Sequence, residues 1–204
     1  MHGIKQATVV DSDSVGDPSC FLMLSDLERE LNELAPSPTD RGRVALIVIR
    51  VTGGRREVPD QVEVSADAGV KGDAWGRKPQ RDPDMQIAVM QSAVAKLIAN
   101  GQPLTLFGDN LVLDLDLSSA NLPPGTRLRV GTALLEVTPF PHNGCRKFQA
   151  RFGADALRLV SMKSLRHRNL RGIYMRVVEP GNVRPGDWVE VLVRARVSAD
   201  ARQD

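Results

Sequence analysis

The sequence predicts a mainly β fold of the α+β class, a sandwich or barrel with few helices. Many short apolar runs with strand character are separated by turns that contain Gly and Pro. Few helical patterns lie between these runs, so repeated βαβ units are not indicated. Two Pro-Gly turns, at 121–126 and 183–187, each lead into a strand-like run, as hairpin connections do.

The predicted elements follow in chain order. Residues 25–34 predict a short amphipathic helix, in which Ser25 and Glu28 have the spacing of a capping box. The run 42–51 is the strongest buried-strand signal. Further strands are predicted at 55–58, 61–65, 85–90, 111–115, 127–130, 133–138, 174–178 and 188–193, and helices at 91–101, with a Gly C-cap, and at 154–160.

We divide the chain into three parts. Residues 1–41 form a polar N-terminal tail with the short amphipathic helix, residues 42–193 form the β domain, and residues 194–204 form a polar tail. The first 19 residues include three aspartates, so we expect no signal peptide.

Composition excludes some classes of function. Lys and Arg total 27 and Asp and Glu total 25, and a net charge of +2 gives no bulk attraction to nucleic acid. No apolar run approaches the roughly 18 residues needed for a membrane span. The two cysteines, Cys20 and Cys145, do not resemble a disulfide framework, so we expect a reducing, cytoplasmic setting.

Cys145 has the most informative surroundings. It follows a strand-like run that two prolines end, so we expect a loop or turn. Arg146 and Lys147 follow it and His142 precedes it, and nearby positive charge favours a thiolate. A thiolate acts as a nucleophile, carries sulfane sulfur or ligates a soft metal. A buried structural cysteine is the alternative.

Five groups of residues together resemble the MOSC family, the C-terminal domain of molybdenum cofactor sulfurases and its stand-alone relatives. They are 69–75, 107–111, 122–131, the Cys145 loop, and 171–177 followed by 181–187. They occur in the family's order and cover roughly residues 42–193. The resemblance implies a strongly curved β-barrel with a few flanking helices, and a Cys145 that handles sulfur or binds the molybdenum of a pterin cofactor.

The sequence departs from the family pattern at two places. Asp109 stands in the site-lining turn where the middle residue is commonly Glu, which shortens the side chain by one methylene. Residues 140–144 replace the Arg- and Thr-containing approach of the reductase-like branch. We also find no pyridoxal-phosphate-dependent domain, an association of the wider family, so we do not expect a complete cofactor sulfurase.

The suspected molybdopterin cofactor needs cations for its phosphate and one thiolate for its metal. His142 is the candidate for proton transfer, because a histidine titrates near neutral pH. Asp73 and Asp109 are candidates for hydrogen bonds to the pterin or for turn capping, and Asn110 for orienting the substrate. The full set of candidate cofactor-binding residues is Lys71, Asp73, Asp109, Asn110, Asn143, Arg146, Lys147, Arg168 and Arg171.

Three functions remain open. The first is a molybdenum-dependent oxidoreductase that acts on N-hydroxylated or N-oxide compounds, with Cys145 as the metal ligand and a separate redox partner. The second is a persulfide carrier that receives sulfur from a cysteine desulfurase. The third is a non-catalytic module that holds an anion or a partner protein. The expected ligand is a small molecule, with no nucleic acid and no membrane.

Overall fold

The computed structural model describes residues 15–195. Its helices are α1 (Leu24–Glu33), α2 (Ser92–Ala99), α3 (Arg146–Phe152) and α4 (Ala154–Val160). Its strands are β1 (Arg41–Ile47), β2 (Ile49–Arg50), β3 (Arg56–Glu57), β4 (Val62–Ser65), β5 (Gly69–Val70), β6 (Ile87–Gln91), β7 (Leu111–Asp114), β8 (Arg127–Val130), β9 (Ala133–Val137), β10 (Ile173–Glu179), β11 (Gly181–Val183) and β12 (Trp188–Val193).

Seven strands close into a barrel in the order β1-β12-β8-β9-β10-β6-β7, and β7 returns to β1. Neighbouring strands are antiparallel except for β6 and β7, which are parallel and joined through α2. The register shifts within β1, β10 and β12. Such irregularities bend a strand, and they account for strong curvature in a barrel of few strands. The predicted mainly β barrel with flanking helices is confirmed.

The barrel interior is filled by apolar side chains. Fully buried members include Ile87, Leu111, Leu128 and Met175, each from a different strand. Every position of β9 is buried, because side chains on both of its faces are covered. None of the residues of this interior cluster lines the cavity described below, so the barrel supplies a scaffold and the cavity lies outside its core.

A second apolar cluster joins the helices to the outside of the barrel. Phe148 and Phe152 lie four residues apart on α3, and the Phe152 ring stacks on Phe107 with centroids 4.1 Å apart. Leu27 and Leu31 of α1 belong to the same cluster. These contacts hold α3 against the barrel wall, and α3 begins directly after Cys145.

Two small sheets complete the fold. β4 pairs with β11 and β5, and β2 pairs with β3. The β2–β3 pair encloses the turn with Gly53 and Gly54 and places Arg50 opposite Arg56. None of the helices within residues 15–195 combines the length and the apolar character that a membrane crossing requires.

Three local predictions are wrong. Met23, rather than Ser25, is the N-cap of α1, which has no side-chain cap; instead the Leu24 N–H donates to Asp155 Oδ2 of α4 at 3.1 Å. Asn100, with φ 43°, takes the left-handed C-cap position of α2 in place of Gly101. The third is the omission of α3, which starts at Arg146; the loop predicted for Cys145 itself is confirmed, since Cys145 is the last non-helical residue before α3.

The predicted tails lie largely outside the described residues, at 1–14 and 196–204. The part of the first tail that is described contacts the helical layer, where the Gly16 N–H donates to the Ala150 carbonyl of α3 at 3.0 Å. Residues 15–23 therefore lie against the helix that follows Cys145.

Candidate functional site

A cavity of about 550 Å³ opens between the outside of the barrel, α3 and the β2–β3 pair. We call it the main cavity, and its size is within the usual range for small-molecule sites. Its lining comes from β2, β3, β6, β10 and α3 and from the loops before β7 and α3. Six of the predicted site residues line it: Asp109, His142, Asn143, Cys145, Lys147 and Arg171.

Cys145 is an exposed free thiol at the N-cap of α3. The N-terminus of a helix carries a partial positive charge from its unpaired N–H groups. Gly144 brings the preceding loop close to α4, because a Cβ at this position would lie 2.4 Å from Leu157 Cδ1. The thiol is therefore held at the mouth of the main cavity by the packing of α3 and α4, and it is accessible to a ligand.

Arg50 is fixed in the cavity wall by Asp73. The Arg50 Nε and Nη2 donate to the two carboxylate oxygens at 3.0 and 2.6 Å, and its backbone N–H donates to Oδ1 at 2.8 Å. Burial would raise the pKa of Asp73, but the hydrogen bonds and charge of Arg50 outweigh it and hold the pKa below its ordinary value. Asp73 does not line the cavity; it positions an arginine that does.

Asp109 is buried and only partly satisfied. Its Oδ2 accepts a hydrogen bond from Arg171 Nη1 at 2.8 Å, whereas its Oδ1 accepts none. Burial raises the pKa of the Asp109 carboxyl, and the opposing charges of Arg171, Arg50 and Arg56 do not cancel this effect. A buried carboxyl group with a raised pKa is a candidate for a role in proton transfer.

His142 lies beside this carboxyl. Its Nε2 is 3.5 Å from Asp109 Oδ1, and its ring packs on Tyr174 with centroids 4.3 Å apart. Burial, together with the charges of Arg171 and Arg50, holds the pKa of His142 well below its ordinary value, so the ring is neutral at pH 7. Two further buried atoms have no hydrogen-bond partner, His142 Nδ1 and Arg171 Nε.

Positive charge dominates the cavity. Five cationic side chains line it: Arg50, Arg56, Lys147, Arg151 and Arg171. Asp109 is the one carboxylate among the lining residues described. Arg56 and Arg151 are almost fully buried, which is rare for arginine. Gly108, with φ 73°, allows the backbone to lie close to the Arg56 side chain, since a Cβ at this position would lie 3.3 Å from Arg56 Nε. The cavity therefore favours an anionic ligand.

Four of the predicted residues do not contribute to this cavity. Lys71 pairs with Glu63 at 2.8 Å, and both side chains are exposed. Arg146 is exposed on α3 and does not line the cavity, and Arg168 lines a different cavity beside α1. Asn110 is completely buried, where its Oδ1 accepts from the Ala88 N–H at 3.1 Å. Its amide therefore holds β6 to the loop before β7 and is not available to orient a substrate.

Four lining side chains with polar or charged groups were not among the predicted site residues: Arg50, Arg56, Arg151 and Tyr174. Arg50 and Arg56 flank the Gly53-Gly54 turn, and this placement of two arginines at a tight turn was the available signal. Arg151 was not predicted to line the cavity because helix α3, which carries it, was not predicted.

Within the described part of the chain, no three His, Cys, Asp or Glu side chains come together as a set that could hold a metal ion. Cys145 alone offers a soft ligand at the cavity. A metal at this position would therefore have to arrive with most of its ligands already attached, as it does in an organic cofactor.

Comparison with known proteins agrees with this architecture. The family model described as MOSC domain matches residues 83–190, which is more than half of the chain. No curated protein matches the sequence. Among solved structures, the YuaD protein from Bacillus subtilis is 19% identical with a TM-score of 0.56, covering 74% of this chain and 95% of that one. YiiM from Escherichia coli is 23% identical with a TM-score of 0.52, covering 76% and 71%. At these identities the likeness shows the fold alone.

Proposed function

The chain belongs to the MOSC domain family, and from this membership we propose that the main cavity binds a molybdenum–pterin cofactor and that the loaded protein reduces N-hydroxylated or N-oxide compounds. One observation carries the proposal: an accessible thiol, Cys145, opens onto a cavity of about 550 Å³ with an excess of cations. A dianionic phosphate and a soft metal require these two kinds of group together.

The polar atoms of the cavity fit such a ligand. Asp109 Oδ1 is buried with no hydrogen bond, and an acceptor left this way costs about 1–3 kcal/mol. The N–H groups of a pterin supply donors for such an acceptor. The mix of apolar rings, such as Phe107 and Phe148, with a few charged groups suits a flat heterocycle.

The chain's residues divide the binding among them. Cys145 supplies the one protein thiolate for the metal. Arg56 lies on β3, and Lys147 and Arg151 lie on α3. Their planar guanidinium groups and the compact ammonium group of the lysine provide positive charge for the phosphate. Arg50 and Arg171 are held by Asp73 and Asp109, so their positive charge is fixed before any ligand binds. When bound, the cofactor supplies the two-electron redox chemistry.

Reduction of an N–O bond takes up two protons and two electrons and releases water, so the site must deliver protons. His142 and Asp109 form a neighbouring pair, with 3.5 Å between Nε2 and Oδ1. Burial raises the pKa of Asp109 and lowers the pKa of His142, so the two pKa values shift toward each other, as suits a pair that passes a proton. The electrons come from a separate redox partner.

Molybdenum content is the first test. The protein is produced in a host that makes the cofactor, and molybdenum per chain is measured by inductively coupled plasma mass spectrometry. We expect near-stoichiometric metal in the wild type and in Cys20→Ser, and background metal in Cys145→Ser. Background metal in the wild type, or equal metal in Cys145→Ser, would refute thiolate-ligated cofactor binding.

The reaction is tested on protein shown to carry molybdenum. A chemical reductant such as a reduced viologen replaces the redox partner, and an N-hydroxylated amidine and a heteroaromatic N-oxide are offered in turn. We expect reductant oxidation that depends on the substrate and is lost in Cys145→Ser. Stoichiometric metal with no turnover of either compound would refute the substrate class while leaving cofactor binding in place.

A persulfide carrier is the second candidate, and the exposure of Cys145 favours it, since sulfur transfer needs a thiol that a donor protein reaches. The purified chain is incubated with a cysteine desulfurase and cysteine, reisolated, and treated with cyanide to release thiocyanate. Thiocyanate from the wild type and Cys20→Ser, but not from Cys145→Ala, supports this function. No thiocyanate from the wild type excludes it.

A further inference from the structure

A second cavity, of about 360 Å³, lies behind the main cavity. The two share His142, Asn143 and Arg171, which therefore form a common wall. The rest of its lining comes from the loop before α3, from the end of α4 and from the segment before β10: Pro141, Val160, Ser161, Arg166, Asn169 and Leu170. Of these two cavities, only the main one is lined by Cys145 and Asp109.

The lining of the second cavity is cationic and polar. It contains Arg166 and Arg171, the amides of Asn143 and Asn169, and the hydroxyl of Ser161; Asn169 Nδ2 already donates one hydrogen bond, to the Leu117 carbonyl at 2.8 Å. None of its nine described lining residues is Asp or Glu. The exposed Arg166 side chain makes no hydrogen bond or ion pair with any other residue in the range 15–195. Arginine with nearby amides and a hydroxyl is the donor set that oxyanions prefer.

An independent observation comes from the shared wall. His142 Nε2 lies 3.5 Å from Asp109 Oδ1, so its Nδ1 points in a different direction. This Nδ1 is buried without a partner, and so is Nε of Arg171, whose Nη1 binds Asp109. Both side chains are about nine-tenths buried. Burying such atoms unpaired is costly, so the two charged or titratable side chains of the common wall each keep an unsatisfied polar atom.

We propose that the second cavity is a binding site for a small oxyanion of the sulfate or phosphate type, held by Arg166, by Arg171 Nε and by the surrounding amides. This site is independent of the proposed cofactor and of Cys145. An anion here contacts the rear of His142 and Arg171, the same residues that present Asp109 to the main cavity. Binding of the anion therefore fixes the orientation of the His142 imidazole ring from the side of the second cavity.

The test is a sulfate titration at constant ionic strength, with sodium chloride as the balancing salt. Binding is followed by the NMR signals of the His142 ring, assigned by their absence in His142→Gln. We expect saturable shifts in the wild type and an apparent Kd about tenfold higher in Arg166→Gln, since one charge-assisted contact is lost. Arg166 is exposed, so this variant folds, and equal thermal midpoints check it.

Two control variants locate the site. Arg158→Gln removes the same charge from an exposed position on α4 that lines neither cavity, and it should keep the wild-type Kd within about twofold. Lys147→Gln changes only the main cavity of the two and should also keep the wild-type Kd. A wild-type Kd in Arg166→Gln, or loss of the shifts in Lys147→Gln, would overturn the proposal by placing the sulfate elsewhere.

The class of anion is tested with acetate in place of sulfate. Weaker binding of acetate supports a tetrahedral oxyanion, because sulfate offers more acceptor oxygens and more negative charge to the arginines and amides of the lining. Tighter binding of acetate would overturn this assignment and identify the site as one for the carboxylate of an organic molecule. Shifts that never saturate in either titration would refute a built anion site altogether.

Discussion

Two buried carboxylates hold two arginines around the main cavity, and they are satisfied to different degrees. Asp73 accepts four hydrogen bonds, three from Arg50 and one from the Trp75 N–H at 2.9 Å. Asp109 accepts one, from Arg171, and its Oδ1 accepts none. Both carboxyl groups are almost inaccessible to solvent, and they differ clearly in the number of hydrogen bonds that they accept.

The pKa directions follow from this contrast. Four donors hold the pKa of Asp73 below its ordinary value in spite of burial, whereas burial raises the pKa of Asp109 in spite of Arg171. A fully bonded carboxylate stabilises the fold and stays charged. A partly bonded carboxyl beside a neutral histidine is available for chemistry, at a cost in stability.

The largest expected effect comes from Asp73→Asn. Removing one partner of a buried ion pair leaves Arg50 without its counter-charge, and we expect a loss of about 3 kcal/mol in the free energy of unfolding. Urea denaturation measures it, with Glu63→Gln as the matched control. That residue pairs with Lys71 on the surface, and its loss should be about 0.5 kcal/mol or less. Equal losses in the two variants would contradict the role of Asp73.

The pH dependence of stability separates the two carboxyl groups by sign. The folded pKa of Asp73 is depressed, so its contribution is present above the unfolded pKa of about 3.9 and is lost as the pH falls through the folded pKa. The folded pKa of Asp109 is raised, so its contribution is present below about 3.9 and is lost as the pH rises through the folded pKa.

Unfolding measured from pH 3 to 8 in the two variants checks these signs. Asp73→Asn should reduce the loss of stability seen in the wild type below about pH 4. Asp109→Asn should instead reduce the decline in the free energy of unfolding that begins above about pH 4. The same change of slope in both variants would show that the two environments do not differ as described.

Asp109→Asn should have a smaller effect on stability than Asp73→Asn. The amide keeps an oxygen for Arg171 Nη1 but removes the counter-charge of this buried arginine. Removing a carboxylate that burial destabilises offsets part of that loss, so we expect a loss of about 1–2 kcal/mol near pH 7. Activity of the loaded protein should fall far more than stability, because the proton partner of His142 is lost. A stability loss as large as that of Asp73→Asn would make Asp109 a structural residue.

The smallest effect is expected for Cys145→Ser. The thiol is exposed and packs against nothing in the apolar clusters, so the free energy of unfolding should change by about 0.5 kcal/mol or less. The thermal midpoint is then the same as in the wild type, and any loss of metal in this variant reports on ligation. A clear drop in the midpoint would show that Cys145 contributes to folding.

Much of the barrel was predictable from local sequence. The apolar runs that became β1, β6, β8, β9, β10 and β12 are short, those of β1, β8, β9 and β10 are followed within a few residues by Gly or Pro, and the turn at 121–126 leads into β8 as predicted. Helix α3 was not predicted because it has only seven residues and opens with two cations. Its formation depends on Phe148 and Phe152, which are paired with Phe107 from a distant part of the chain.

The site was predictable in part. Cys145, His142 and Lys147 are close in sequence, so their proximity follows from chain connectivity, and the cationic surroundings of the thiol were visible at once. Lys71 and Asn110 lie in segments that carry the family resemblance, yet one pairs on the surface and the other bonds backbone in the core. A motif locates a segment, whereas burial and partners decide what each side chain in it does.

The sequence by itself determined that this chain forms a β-rich barrel with helices outside it and that one thiol lies among cations, because periodicity, turn residues and neighbouring charges are local properties. Only the tertiary structure decided that Arg50, Arg56 and Arg151 join the cavity and that Asp73 and Asp109 take opposite roles. Those outcomes depend on desolvation and on hydrogen-bond partners 23 and 62 residues away in the chain, and no local pattern encodes either.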